Sequence, residues 1–397
     1  MGSRPETRIA ALDSLRGIAA AFILAHHCWL AVIGFDAGAG NPFDVPWSIR
    51  QALGLVLENG RAAVIVFFVL SGYVLCISVE KQNGTYLSFV SKRVCRIWIP
   101  LLLSVALSVG LYLAIGPHPA GNLSAWFQHQ AGWYSAPTPA VLLGHALMTG
   151  RPDHTSFNTP MWSLVYELRI SLLFPFLAVL ARRRPRAVAS AALAFYLAEL
   201  IVSHVVLGRP LRPGTASDVG RDLFSTVHFL GCFALGAVLA HGRERIRAFF
   251  ARATNGTAPA AWTAAIVLLL VREDAAGIAG AGLAVALCAG SPPADRVLQR
   301  PLPLWLGRVS YSLYLVHMPI LLGAGHFLHG TATPALLVAA VIALSLLAAE
   351  GMHRWVEVPS MALGRRIATR IRRGNRPHDM APAGPVPPPA LPADRRI

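Results

Sequence analysis

The stretch "RGIAAAFILAHH", residues 16–27, decides how the chain is read. Its interior is apolar or small, as a bilayer core demands, yet it opens on Arg16 and closes on His26 and His27. An ionisable group in a lipid-spanning helix is costly and is a functional candidate by default. At about 100° per residue, Arg16 and His27 lie only about 20° apart around a helix and about 16 Å apart along it. They share one stripe. His26 points about 80° away and reads as the structural histidine, bonded to a neighbouring helix. Two readings of the stripe stand. In one, Arg16 holds an anionic group entering from the cytoplasm while His27 does proton chemistry farther in. In the other, Arg16 reaches back to the inner headgroups and His27 is a satisfied core residue. Asp13, three residues before Arg16, is placed to pair with it on one helix face.

The rest of the chain fits a membrane setting. Of its 397 residues 55% are hydrophobic and 14% charged, with a mean hydropathy of +0.53; a soluble domain carries about 25% charged residues. The expected fold is all-α, a polytopic membrane helical bundle of about ten transmembrane helices, at 15–35, 61–80, 97–116, 161–180, 187–207, 222–241, 259–272, 276–290, 304–328 and 334–358. The stretch "AVLLGHALM" (140–148) is too short to span and suits a re-entrant or interfacial helix. With the N-terminus inside, 25 of the 35 Lys and Arg fall in inside segments and 7 in outside ones, which places both termini in the cytoplasm. The net charge of +16 is therefore topological and not a nucleic-acid signal. The five cysteines are scattered without a C-x-x-C, so neither a disulfide framework nor a metal site is expected. An integral membrane domain over 1–360 is followed by a basic, then Pro-rich cytoplasmic tail over 361–397, expected to be disordered. No internal repeat is evident, which weighs against transporters built from two similar halves.

Further ionisable groups sit at the expected spans. Arg93 and Arg96 in "SKRVCRIWIP" are one turn apart at the cytoplasmic surface; they anchor the topology or clamp phosphates. Glu167 and Arg169 in "FNTPMWSLVYELRISLLFP" are about 160° apart, so they need different partners. Glu167 either orients a histidine, binds a substrate hydroxyl, or pairs with an arginine of another span. In "VSYSLYLVHMPI", Ser310, Tyr314 and His317 fall on one face, lining a cavity or bonding a neighbour. Glu350 and His353 in "EGMHRW" have the i, i+3 spacing of some di-metal bundles, but no matching set occurs elsewhere and a local pair is expected.

Taken together these landmarks resemble the acyltransferase 3 family of integral membrane acyltransferases. "LDSLRGIAAAFILAHH" resembles its first-helix signature, mapping to Arg16 and His27, and "FFVLSGYVL" (67–75) its second-helix signature. Arg93-x-x-Arg96 matches its cytoplasmic R-x-x-R. "FNTPMWSLVYE" is similar to its N-x-P-x-W-S-L-x-x-E block, with Asn158, Trp162, Ser163 and Glu167, and "SYSLYLVHMPI" to its S-Y-x-x-Y-L-x-H block, with Tyr314 and His317. The resemblance implies ten spans in a bacterial cytoplasmic (inner) membrane. It implies a cytoplasmic acyl-CoA donor, acetyl-CoA by default, no metal, and an O-acylated carbohydrate or glycosylated acceptor such as a polysaccharide. On it, His27, Arg16 and Glu167 are catalytic candidates and Arg16, Arg93 and Arg96 hold the donor. Asn158, Trp162, Ser163, Tyr314 and His317 are substrate-binding or orienting candidates, with Glu167 and His317 shaping the acceptor side or orienting His27. Three departures stand out: Ser14 replaces the usual Gly, "RIS" follows Glu167 where the family often has "QFY", and the appended extracytoplasmic hydrolase-like domain of many members is not expected here. The first of the other two leaves Arg169 free to read an acidic or phosphorylated acceptor. The alternative function is a transporter or flippase for a polar or lipid-linked solute.

Overall fold

The computed structural model describes residues 5–34, 46–80, 85–118, 123–207, 214, 219–253, 256–291, 297–328 and 331–374, and every regular element in them is helical. The main helices are α1 (Pro5–Val32), α2 (Trp47–Leu57), α3 (Gly60–Glu80), α4 (Tyr86–Ile115) and the short α5 (Ala125–Gln130) and α6 (Pro139–Ala146). They continue with α7 (Met161–Arg183), α8 (Pro185–Ile201), α9 (Val219–His241), α10 (Arg243–Arg252), α11 (Thr257–Leu270) and α12 (Asp274–Gly290). The last three are α13 (Pro301–Phe327), α14 (Pro334–Met352) and α15 (Val358–Gly374).

Seven helical stretches among the described residues are long and apolar enough to cross a membrane. Three of the ten expected spans fall outside that set, each for a physical reason. With 14 and 17 residues, α11 and α12 rise only about 21 and 26 Å, short of the ~30 Å hydrocarbon core. The 27-residue α13 is long enough, but Ser310, Tyr311, Ser312, Tyr314 and His317 dilute its hydropathy. The large apolar side chains left exposed, among them Leu193, Leu197, Val205, Leu344 and Leu347, form the perimeter that lipid covers.

Two further differences from the sequence reading concern the ends of spans. α2, unexpected from the sequence, exposes Trp47, Ile49, Leu53 and Leu55 and leads through Glu58 and Asn59 into α3. At the other end α14 passes through a wide turn at His353–Glu357 into α15. The basic part of the tail, 361–374, is thus helical and lies along α4, with Gly364 packed on Lys92 and Cys95; helical amphipathicity overrides the expectation of disorder there. Residues 375–397, the Pro-rich remainder, lie outside the described residues.

The core is organised by α1 on α13 and α3 on α9. In lipid no hydrophobic force draws helices together, so small residues at crossings matter most. A Cβ on Gly17 would lie 2.2 Å from the Gly307 backbone nitrogen, and one on Gly307 2.5 Å from the Asp13 carbonyl oxygen. This backbone-to-backbone crossing sets Arg16 beside the polar face of α13. Gly17→Leu should force the helices apart, since the obstacle is main chain; overpacking costs about 1–3 kcal/mol or more. The expected result is a lower melting temperature in detergent together with lost activity. An unchanged melt would show that the crossing is not tight.

Candidate active site

Five helices converge on a narrow polar cavity. Arg16 enters it from α1, Ser71 from α3, Arg93 and Arg96 from α4, Ser163 and Glu167 from α7, and Ser310, Tyr311 and Tyr314 from α13. Arg16 is 16% exposed and donates to Asp13 at 2.9 Å, the pairing expected from their spacing. The Arg16 guanidinium interacts electrostatically with both Arg96 and Glu167, and Arg93 does so with Arg16, Arg96 and Glu167. Three cations thus face one carboxylate. Arg93 and Arg96 start about 10–15 Å into α4, where both line the cavity. Such a net positive, helix-walled pocket suits an anion with several oxygens.

The histidines form a second group. His27 Nδ1 lies 3.0 Å from His317 Nε2, and His317 Nδ1 lies 3.1 Å from the Leu313 carbonyl. A carbonyl can only accept, so His317 carries its proton on Nδ1. Its Nε2 is then an acceptor, and His27 must donate from Nδ1. That leaves His27 Nε2 with a free lone pair, the state a general base needs. The pair resembles the base and orienting group of a relay. Trp126, on α5, stacks over His27 at 5.7 Å between ring centroids. The α5 turn is pinned there by Ser124, whose backbone N–H donates to Ala31 at 2.9 Å.

Tyr314 joins the two groups. It lines the cavity, its ring lies 5.8 Å from that of His317, and its hydroxyl donates to the Pro160 carbonyl at 2.9 Å. The Ser163 hydroxyl is 2.7 Å from it.

The other sequence candidates divide. Glu167 interacts electrostatically with Arg16 and Arg93 and accepts loosely from Ser71 at 3.4 Å; the contacts of His27 run to His26, Trp126 and His317 and to the Ile23 backbone. Orienting a histidine is therefore not what Glu167 does here. Asn158 is 1% exposed and clamps α4 to α13, donating to Ser104 at 2.9 Å and to the Leu315 carbonyl at 3.0 Å. Trp162 packs against Tyr166 and Phe229 and is not among the residues lining the cavity. His26, as expected, bonds elsewhere, to the Leu57 carbonyl at 2.6 Å. Arg169 is not free to read an acceptor: it pairs with Asp222 at 2.6 Å. Glu350 and His353 are not a pair. Glu350 accepts from Trp305 at 2.7 Å, and His353 lies 3.0 Å from Glu357.

Sequence reasoning missed Tyr311 and Trp126. Tyr311 lies about 100° from Ser310 and so off the chosen polar stripe, while Trp126 sits in a six-residue helix of a loop with no periodic signal.

Comparison with known proteins decides the family. The model of the acyltransferase 3 family, described as an acyltransferase domain, matches residues 9–349. The chain belongs to the acyltransferase 3 family. It is therefore an acyltransferase of membrane type, and the transporter reading falls away. This acyltransferase is similar to "Acyltransferase MdmB" of Streptomyces mycarofaciens, 27% identical over 90% of this chain and 93% of that one. It is also similar to "O-acetyltransferase PaAT-1" of Phomopsis amygdali, 26% identical over 80% and 73%. No solved structure matches it. The matched region holds both parts of the acyltransferase's candidate site, the arginine cavity and the His27–His317 pair.

Proposed function

We propose that the protein moves an acyl group, acetyl by preference, from cytoplasmic acyl-CoA to a hydroxyl of a carbohydrate or glycosylated acceptor. The observation that carries this is the cavity of three arginines joined through Tyr314 to a histidine with a free Nε2. Arg93, Arg96 and Arg16 hold the donor phosphates by charge-assisted hydrogen bonds. The pantetheine arm passes Tyr314 and brings the thioester carbonyl to His27. His27 Nε2 takes the proton from the acceptor hydroxyl as that oxygen attacks the acyl carbon. The C–S bond breaks, the ester forms, and the departing thiolate recovers the proton from the imidazolium. His317 holds the tautomer of His27. Glu167 spaces and partly neutralises the arginines, and Ser163 fixes Tyr314.

The accompanying topology is ten crossings, the seven long stretches, α13 and the short α11 and α12 in a locally thinned bilayer, with both termini in the cytoplasm of a bacterial inner membrane, supported by the distribution of Lys and Arg. Acetyl as the group is supported by the name of the second relative, an O-acetyltransferase.

Purified protein in vesicles, given acetyl-CoA labelled in the acetyl group, tests the reading. Extracts of glycans and glycosylated metabolites from cells lacking the protein serve as acceptors, and mass spectrometry reads the products. Label on a hydroxyl of such an acceptor is expected. Label that never leaves acetyl-CoA, across extracts that restore a lost acyl mass in cells, would sink it.

A further inference from the structure

Beside the cavity, and outside its lining, α15 carries a second concentration of positive charge. Arg365, Arg366, Arg370, Arg372 and Arg373 are all exposed, whereas Gly364 and Ala368 are buried. On a helix the five arginines span an arc of about 160°, centred about 140° from the Gly364–Ala368 seam. That seam fixes where the helix lies. A Cβ on Gly364 would stand 3.1 Å from the Cys95 Cβ and 3.1 Å from the Lys92 Cα. The crossing therefore falls on the very turn of α4 that supplies Arg93 and Arg96. Arg372 interacts electrostatically with Lys92, and Lys92 with Arg93, so positive charge continues from the outer face of α15 into the cavity.

Helix propensity and topology do not require this arrangement. An excess of basic residues marks an inside segment wherever they fall in it, whereas like charges one turn apart on a helix repel one another. The repulsion is tolerated where an anion gains from it. A cleft with low-dielectric walls and charge of one sign at its mouth raises the local concentration of an oppositely charged ligand, accelerating capture by about 10–10³-fold.

We propose that the arginine face of α15 is an electrostatic antechamber that captures a polyanionic thioester, the nucleotide-bearing donor, and passes it to Arg93 and Arg96. The inference rests on the acyl-CoA reading of the cavity and extends it: these arginines set the rate of donor arrival, and the cavity arginines set how tightly the donor is held. They are binding residues at a distance and touch no reacting atom. The same face could hold anionic lipid headgroups, but α15 packs against the cavity wall, and charge aimed at headgroups alone has no reason to continue through Lys92 to Arg93.

The test uses the full chain in neutral detergent and needs no acceptor. Stopped-flow fluorescence measures association of acetyl-CoA with wild type and with the triple variant Arg365→Gln, Arg366→Gln, Arg370→Gln. Exposed substitutions of this kind change stability by about 0.5 kcal/mol or less, and a thermal melt checks that. At low ionic strength the variant should bind about 10-fold more slowly with an unchanged dissociation rate. Near 1 M salt, where the screening length falls to about 3 Å, the two proteins should converge. Acetyl-pantetheine, which lacks the phosphates, should associate equally with both at any salt. Equal association of acetyl-CoA at low salt would overturn the antechamber and leave the face to lipid; so would a deficit that survives high salt or extends to acetyl-pantetheine. A wild type that binds no acetyl-CoA would instead sink the donor reading itself, and the antechamber with it.

Discussion

His27→Ala should lower acyl transfer by about 100-fold or more while leaving the protein folded. General base catalysis contributes typically about 10²–10⁴-fold, and no other imidazole in the pair can replace it. His317 has its Nδ1 proton committed to Leu313 and its Nε2 committed to His27. In the wild type only His27 has a nitrogen left for an acceptor hydroxyl; in the variant His317 Nε2 is freed, but its ring sits 5.1 Å from the place of the His27 ring, displaced from the acceptor. His317→Ala should cost less, because the base survives without its orienting partner, and the loss should fall on kcat with donor KM preserved. His26→Ala removes a bond to the Leu57 carbonyl, worth about 0.5–1.5 kcal/mol of stability, and should leave transfer nearly intact. Full transfer by His27→Ala in purified micelles would end the assignment. So would loss of activity from His26→Ala with His27→Ala tolerated.

How far the sequence could reach is visible in these same residues. The 3.6-residue period separated His26 from His27 correctly, because direction around an axis is a local property. It offered both Glu167 and His317 as groups to orient His27 or shape the acceptor side, and could not choose between them, because packing, not periodicity, selects which faces meet; the contact is with His317, 290 positions away. The stripe shared by Arg16 and His27 was legible, but it ran through two different environments: Arg16 opens into the cavity and His27 lies past Tyr314 against Trp126. The bundle itself could be read from hydropathy wherever spans face lipid. It was hardest to read at α11 and α12, which are short and rich in Ala and Gly, whereas α13 was legible as a span despite the polar residues it carries among protein helices. The roles of Glu167 and Arg169 depended on neighbours from α4 and α9, which a single helix cannot reveal. Likewise, the basic tail gave composition but not its seam; Gly364 and Ala368 became meaningful only once α4 was beside them.

Arg96→Ala and Arg93→Ala should each raise KM for acyl-CoA by about 10- to 150-fold, with a much smaller change in kcat. Hydrogen bonds to charged groups contribute about 1.5–3 kcal/mol each, and about 1.4 kcal/mol is a factor of ten in affinity. The cations act on phosphates remote from the reacting carbonyl, so they bind ground state and transition state alike, and uniform binding moves KM. The double variant should fall short of the product of the two, because the arginines interact electrostatically with one another and with Glu167. Removing one relieves repulsion on the next, and removing both leaves the Glu167 carboxylate with Arg16 as its remaining cation in the cavity, now repelling the donor. Lysine at either position should recover part of the loss, as a point charge lacks the planar fork that matches two phosphate oxygens. A neutral pantetheine thioester separates this from general damage, since its KM should not respond to either change. If the KM for acyl-CoA were unmoved in both single variants, the cavity would have to serve the acceptor and not the donor.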